Sequence, residues 1–174
     1  MRKTIFEFAK TIIFAFIIAF LLTSLIKPTI VKGYSMYPTI KPNSYLIVNK
    51  IPYLTGTPSY GDIIVFTASI YTDGGEGKKL IKRIIGLGGD TIEIKNGIVY
   101  RNGTPLEEDY INKKTTMGDM EKVTVSENCV FVMGDNRAVS LDSRDSAIGE
   151  IPMKDIIGRA DLRLLPLNEI GVMP

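Results

Sequence analysis

The residue types that this chain lacks restrict the chemistry that it can perform. Its 174 residues include no histidine and a single cysteine, Cys129. A Ser-His-Asp triad, a Cys-His pair and histidine-dependent zinc chemistry are therefore excluded, and neither a metal site nor a cofactor is expected. Any general base must be a lysine, an aspartate, a glutamate or a tyrosine. Cys129 lies in an apolar run and is predicted to be a buried small hydrophobe rather than a reactive thiol.

Lys82 is the basic residue best suited to lose its proton. On a predicted strand, Leu80 and Ile84 share its face, so its neighbours there are apolar. Such burial lowers the pKa of a lysine because it disfavours the charged form, and the neutral amine can then act as a base. Arg83 has an equally apolar flank, but a guanidinium does not deprotonate in proteins. An ordinary strand lysine whose amine reaches solvent remains the alternative interpretation.

Ser35 is a candidate nucleophile within residues 33–40 (GYSMYPTI). Gly33 and Pro38 flank it, and residues of these two types are typical of a turn that presents a side chain. A second polar segment, residues 134–144 (GDNRAVSLDSR), is rich in turn formers and in charges of both signs. It can form a solvated loop or a rigid polar turn beside an active site, and the residues alone leave both interpretations open.

An apolar segment precedes these residues and indicates a membrane anchor. Residues 11–26 carry no charge and would span about 24 Å as a helix, or about 33 Å if the helix starts at Ile5. The hydrocarbon core of a bilayer is about 30 Å thick. We expect Pro28 to end this helix. A cleaved signal peptide and a buried soluble helix are the alternatives, but residues 21–27 (LLTSLIK) make a poor cleavage site. The flanking basic residues slightly favour a cytoplasmic N-terminus.

The rest of the chain is predicted to form a mainly β domain of sandwich or barrel-like type. Asn96-Gly97 and Asn102-Gly103 indicate tight turns, and residues 71–78 and 107–122 are predicted to be exposed loops. The charges nearly balance, with 21 basic and 19 acidic residues, so nucleic acid is not an expected partner. Short runs rich in β-branched residues predict strands at 45–48, 62–66, 79–85, 91–94, 98–100, 123–125, 130–133 and 156–164.

Four short segments, in order behind the apolar span, resemble the boxes of bacterial type I signal peptidases, the Ser-Lys leader peptidases of peptidase family S26. The resemblance covers nearly the whole chain, from the anchor to about residue 165, and fits the compact single-span form of the family. The segments are residues 35–39 (SMYPT, nucleophile box), 61–66 (GDIIVF, strand box), 82–90 (KRIIGLGGD, general-base box) and 134–144 (C-terminal box).

The resemblance implies a signal-peptidase-like β domain with the LexA-like Ser-Lys protease fold, behind one N-terminal transmembrane helix. It divides the chain into a cytoplasmic N-terminus with the anchor, residues 1–27, and an extracytoplasmic catalytic domain, residues 28–174. The implied activity is a membrane-bound serine endopeptidase that removes signal peptides from exported preproteins after an Ala-x-Ala-like site. Its implied partners are preprotein signal peptides and the phospholipid membrane.

The resemblance also implies a role for particular residues. Ser35 would be the nucleophile, Lys82 the general base, and Ser140 the serine whose hydroxyl orients the lysine amine. The backbone amide of Ser35 would contribute to the oxyanion hole. The charged residues expected to brace the site are Arg83, Asp135, Asp142 and Arg144. The side chains expected to line small substrate pockets are Val31, Met36, Ile40, Leu80 and Ile81.

One departure from the family pattern bears on the chemistry. Gly33 lies where some members have a serine whose hydroxyl completes the oxyanion hole, so this chain lacks that side-chain donor. Two other functions remain open. A LexA-like self-cleaving Ser-Lys protein would share the chemistry, but its soluble N-terminal part does not fit residues 11–26. A non-catalytic membrane-anchored β module would need neither Ser35 nor Lys82.

Overall fold

The chain begins with a long apolar helix. The computed structural model describes residues 2–71, 75–111 and 116–174. Its first element is helix α1 (Arg2–Leu25), and the part Phe6–Leu25 is long and apolar enough to cross a membrane. These 20 residues extend over about 30 Å, and none of the span is buried inside the protein. The helix predicted from the sequence is therefore present.

Short strands make up most of the remaining chain, as the β-branched runs predict. A single short α-helix, α2 (Pro52–Thr55), and two 3₁₀ turns, Met153–Asp155 and Leu167–Glu169, interrupt them in the described residues. The strands are β1 (Ile26–Ile30), β2 (Tyr45–Asn49), β3 (Ile63–Tyr71), β4 (Gly77–Leu87), β5 (Thr91–Lys95), β6 (Ile98–Arg101), β7 (Thr104–Pro105), β8 (Met120–Thr124), β9 (Cys129–Met133), β10 (Ile151–Pro152), β11 (Ile156–Leu165) and β12 (Gly171–Val172).

Two antiparallel sheets organise these strands. The larger sheet has the order β1-β2-β11-β3-β4-β9-β10, with β12 added beside β11. The smaller sheet has the order β7-β6-β5-β8. Its hairpins turn at Asn96-Gly97 and Asn102-Gly103, where all four residues have positive φ, the conformation that tight hairpin turns of this kind require. In the larger sheet, β4 lies between β3 and β9, and it carries Lys82 and Arg83.

The larger sheet is covered on both faces, which explains why its strands are apolar runs rather than alternating patterns. On β9, Val130 and Val132 belong to a core cluster with Ile84, whereas Phe131 and Met133 face the cluster shared with the smaller sheet. A third cluster, which we call the Met36 cluster, packs beside β2 and β3. Its buried members are Val31, Met36, Ile40, Leu46, Ile63 and Ala160.

The helix ends earlier than predicted. Pro28 was expected to stop it, but α1 ends at Leu25, and Ile26–Ile30 pairs with β2 as an edge strand. An edge strand tolerates a proline because the missing N–H need not enter the ladder on the outer side. The predicted division of the chain between residues 27 and 28 therefore falls within β1.

The two predicted loops are shorter than expected. β3 continues to Tyr71 and β4 begins at Gly77, so regular strand occupies both ends of the predicted loop 71–78. Similarly, β8 begins at Met120, inside the predicted loop 107–122. Residues 72–74 and 112–115 of these loops lie outside the described residues.

Candidate active site

The side chain of Lys82 contacts that of Ser35, which lies in the turn that follows β1. Lys82 Nζ lies 2.6 Å from Ser35 Oγ and donates a second hydrogen bond to the carbonyl oxygen of Ile81 at 2.9 Å. Only 2% of the lysine is exposed to solvent. A hydroxyl and an amine at this distance are within reach for proton transfer, which is the arrangement of an activated nucleophile.

Burial shifts the ionisation of Lys82 toward the neutral amine. Burial lowers its pKa from 10.5 to about 8, while the negative charges of Asp142 and Asp135 oppose this shift by favouring the ammonium form. The apolar flank predicted from strand alternation is present, because Leu80 and Ile84 pack in one cluster on the same face of β4. At a pKa of about 8, roughly one amine in ten is neutral at pH 7, which is enough for a base.

The turn that holds Ser35 is anchored on both sides. Tyr37 N–H donates to the Tyr34 carbonyl at 3.1 Å, and Ile40 N–H donates to the Met36 carbonyl at 2.8 Å. Met36 and Ile40 are fully buried in the Met36 cluster, so the residue directly after the nucleophile cannot move without opening the core. The sequence folds this way because Met36 and Ile40, which follow Ser35, occupy the core, whereas Ser35 stays outside it.

Gly134 lets the C-terminal polar segment approach this turn closely. A Cβ at this position would overlap with the hydroxyl of Ser140 and with the carbonyl oxygen of Ser35, so only glycine fits. Its own N–H donates to Asp142 Oδ2 at 2.9 Å. Gly134 therefore brings Ser140 beside the nucleophile turn. In the described residues the Ser140 hydroxyl is buried with no hydrogen-bond partner, so its role in orienting Lys82 stays a prediction.

Arg83 and Asp135 form a buried ion pair behind the site. Nε of the guanidinium lies 3.0 Å from Asp135 Oδ1, and Nη2 lies 2.8 Å from Oδ2, a bidentate arrangement. Nη1 donates to backbone oxygens of Gly61 and Pro174, and the guanidinium lies over the ring of Tyr110 at 4.1 Å. Because these residues come from distant parts of the chain, the pair ties β4 to the residues that follow β9.

A second ion pair braces the polar segment itself. Asp142 is fully buried and accepts bonds from Arg144 Nε at 2.8 Å and Nη2 at 3.0 Å. The same guanidinium donates to the carbonyl oxygens of Arg137 and Ser140, which closes the turn around Ser140. The bracing positions expected for Arg83, Asp135, Asp142 and Arg144 thus correspond to two ion pairs next to the dyad.

The five residues expected to line substrate pockets divide into two groups. Val31, Met36 and Ile40 are buried members of the Met36 cluster and have almost no surface to offer. Leu80 and Ile81 are partly exposed, on opposite faces of β4 next to Lys82. Of these five residues, Leu80 and Ile81 are the two that present apolar surface, and the pocket assignment stays a prediction.

Asn136 and Arg137 were predicted only as turn-forming or ion-pairing residues of the polar segment, without their partners. Arg137 is buried, pairs with Glu108 and donates to Thr116 Oγ1 at 2.6 Å, which ties the polar segment to the loop before β8. Asn136 contacts the backbone of the nucleophile turn. Their sequence signals were the density of polar residues in 134–144 and the resemblance of that segment to the C-terminal box. Among the described residues, no group of three or more His, Cys, Asp or Glu side chains could hold a metal ion.

Cys129 is less buried than predicted. It is partly exposed at the start of β9, where it packs against the cluster between the sheets. Burial and the nearby carboxylate of Glu150 raise the pKa of its thiol. The thiol form is therefore favoured, in agreement with a structural rather than a nucleophilic role.

Comparisons with known proteins place the site within a family. The profile described as "Signal peptidase, peptidase S26" matches residues 5–165. The chain is 40% identical to signal peptidase I P of Bacillus subtilis subsp. natto, over 97% of this chain and 94% of that protein. It is 40% identical to probable signal peptidase I-1 of Synechocystis sp., over 90% of this chain and 81% of that protein. The crystal structure of a signal peptidase I from Enterococcus faecalis aligns with a TM-score of 0.49 and 32% identity, over 59% of this chain and 96% of that one.

Proposed function

We propose that this chain, which belongs to the signal peptidase family, peptidase S26, and is a serine endopeptidase of the signal peptidase I type, works through a dyad of Ser35 and Lys82. One observation carries this proposal: Lys82 Nζ and Ser35 Oγ lie 2.6 Å apart in an environment that lowers the pKa of the lysine to about 8. Without histidine in the sequence, no other base of suitable pKa contacts Ser35 in the described residues.

The geometry supports a two-step acyl transfer. As Ser35 Oγ attacks the scissile carbonyl carbon, the neutral amine of Lys82 takes the hydroxyl proton. The carbonyl oxygen gains the negative charge, and the backbone N–H of Ser35 is placed to stabilise it. Lys82 then gives its proton to the leaving amine as the peptide C–N bond breaks, which leaves an ester on Ser35. Water attacks this ester while the neutral lysine accepts one proton of the water. The bond between the acyl carbon and Ser35 Oγ then breaks, Lys82 returns the proton to Oγ, and the carboxylic acid product leaves, so the enzyme is back in its starting state.

Cleavage after an Ala-x-Ala-like sequence is the expected specificity. The apolar surface beside the dyad comes from the partly exposed side chains of Leu80 and Ile81. Ile81 packs against the Met36 cluster and Leu80 against the cluster of Ile84, and both clusters are filled by buried residues, so little depth is left for a large side chain. A shallow apolar site accepts an alanine methyl group and rejects a bulky residue by steric overlap.

Helix α1 is proposed to anchor the enzyme in the membrane. The exposed apolar part, Phe6–Leu25, matches the hydrocarbon thickness of a bilayer. Its last carbonyl, of Leu25, accepts a hydrogen bond from Lys50 N–H at 2.9 Å, so the β domain starts directly at the end of the span. We place residues 1–27 on the cytoplasmic side and in the membrane, with the catalytic domain of residues 28–174 outside. Protease added to intact cells should digest the β domain and spare an epitope tag at the N-terminus.

The dyad is tested by cleavage of a preprotein whose signal peptide ends in Ala-x-Ala. The full chain in detergent is compared with Ser35→Ala and Lys82→Ala, and with matched controls Ser69→Ala and Lys79→Ala, which alter exposed side chains on β3 and β4. We expect each dyad variant to lose at least about 1,000-fold in rate, because neither group can replace the other. The controls should cleave like the wild type.

The same assay separates the dyad from its alternatives. Folded Lys82→Ala protein that retains activity would contradict the assignment of the base. A wild-type chain that binds preprotein but never cleaves it would favour the non-catalytic β module. A preprotein with a bulky residue in place of the last alanine should not be cut, and efficient cleavage of it would contradict the shallow site.

A further inference from the structure

The peptide unit between Tyr34 and Ser35 is held from one side only. Its carbonyl oxygen accepts two hydrogen bonds, from Tyr37 N–H at 3.1 Å and from the side-chain amide of Asn136 (Nδ2) at 3.2 Å. In a trans peptide the C=O and N–H groups point in opposite directions. The N–H of Ser35, on the other side, has no acceptor among the described residues. A donor that is both fixed and unused lies next to the nucleophile.

Asn136 is itself fixed by the turn that carries it. Its backbone N–H donates to the Ser35 carbonyl at 3.0 Å, and its own carbonyl accepts bonds from Val139 N–H and Ser140 N–H at 3.2 and 3.1 Å. The side chain thus reaches Tyr34 from a backbone that is already bonded to Ser35. Asn136 contacts the two consecutive carbonyl groups of the nucleophile turn and no part of Lys82 in the described contacts.

We propose that Asn136 is the positioning residue of the oxyanion hole: its side-chain amide holds the Tyr34 carbonyl so that Ser35 N–H points at the substrate oxygen. This inference rests on the proposed Ser35–Lys82 mechanism. Hydrogen bonding to a carbonyl also polarises the peptide, which makes the N–H on its other side a stronger donor. Asn136 therefore acts through Ser35 and does not touch the substrate.

The composition of the turn makes this support important. Gly33 provides no side-chain hydroxyl, so the developing charge depends more heavily on the single amide of Ser35. One oxyanion donor is typically worth about 100- to 1,000-fold in kcat. A peptide unit that can rotate loses part of this benefit, even though the donor itself remains in the protein.

Two substitutions of Asn136 test the proposal. Asn136→Ala removes the amide, and Asn136→Asp keeps the size but sets a carboxylate oxygen against the Tyr34 carbonyl. Asn168→Ala, which alters an exposed asparagine, is the matched control. We expect kcat to fall by about 10- to 100-fold in the alanine variant, and at least as far in the aspartate variant, with KM within about twofold. Thermal unfolding identifies the variants that remain folded, and if the alanine variant does not fold, the aspartate variant carries the test.

A pair of inhibitors distinguishes positioning from a general structural role. A peptide aldehyde ending in Ala-x-Ala forms a tetrahedral adduct with Ser35, whereas the same peptide with a methylene group in place of the scissile carbonyl has no oxygen for the hole. The aldehyde should lose affinity by about the factor lost in kcat, while the reduced peptide binds as tightly as to the wild type. Unchanged kcat, or an equal loss of affinity for both inhibitors, would overturn the role of Asn136. Activity surviving in Ser35→Ala would instead overturn the dyad.

Discussion

The buried pair of Arg83 and Asp135 gives a stability prediction that can be worked out from its contacts. Asp135→Asn keeps the shape of the side chain but removes the negative charge, so a buried guanidinium loses its counterion. Removing one partner of a buried pair typically costs about 3–5 kcal/mol. Arg83 keeps its bonds to two backbone oxygens and its contact with Tyr110, which places the expected cost near the lower limit, about 3 kcal/mol.

This cost should appear in thermal unfolding of the detergent-solubilised protein. For a chain of this size, 3 kcal/mol corresponds to a decrease of about 6–12 °C in the unfolding temperature. The matched control is Asp109→Asn, which neutralises an exposed aspartate and should change the temperature by no more than about 2 °C. Adding Arg83→Met to Asp135→Asn removes the unpaired charge and should recover part of the loss. If Asp135→Asn has the same unfolding temperature as Asp109→Asn, the buried pair does not brace the site as described.

Two further predictions concern the dyad and its surroundings. Lys82→Met should abolish activity yet raise the free energy of unfolding at pH 7 by up to about 3 kcal/mol, because burial lowers the lysine pKa from 10.5 to about 8. Between these two pH values the unfolded chain binds more protons than the folded one, so the free energy of unfolding of the wild type should rise with pH there. Denaturant unfolding of both proteins at several pH values measures this, and equal pH dependence in the wild type and Lys82→Met would contradict the prediction. Gly134→Ala should reduce kcat by at least about 100-fold, because a Cβ displaces Ser140 or the Ser35 carbonyl. Gly171→Ala, which enters open space, is its control, and equal activity of the two variants would contradict the close approach.

Most of the strands could be predicted from the sequence because their cause is local. Runs such as 91–94 and 98–100, separated by Asn-Gly, contain both the β-branched residues and the turn that a hairpin needs. β1 was missed because Pro28 usually ends a regular element. Whether it ends a helix or lies on a sheet edge depends on a partner strand, β2, that local sequence does not identify.

The environment of Lys82 could be predicted from the sequence, but the hydrogen bonds that hold the nucleophile turn could not. Strand alternation correctly placed Lys82 between Leu80 and Ile84, and this explains its low pKa. The contact of Asn136 with Tyr34, by contrast, joins residues about a hundred positions apart. Nothing in the local pattern of 134–144 shows which backbone it will meet. Long-range hydrogen bonds of this kind follow from the assembled fold rather than from residue type.

The dependence of kcat/KM on pH tests the central claim most directly, because it reports the ionisation of the base in the free enzyme. With Lys82 as the base, the rate should rise with pH along a single ionisation whose midpoint lies at about 8. The rate at pH 7 should then be about one tenth of its plateau. Asp135→Asn removes a charge that raises the pKa of Lys82, so the midpoint should move to lower pH in that variant. A midpoint in the range of a carboxylate, or a rate that does not change between pH 6 and 9, would contradict a neutral lysine as the base.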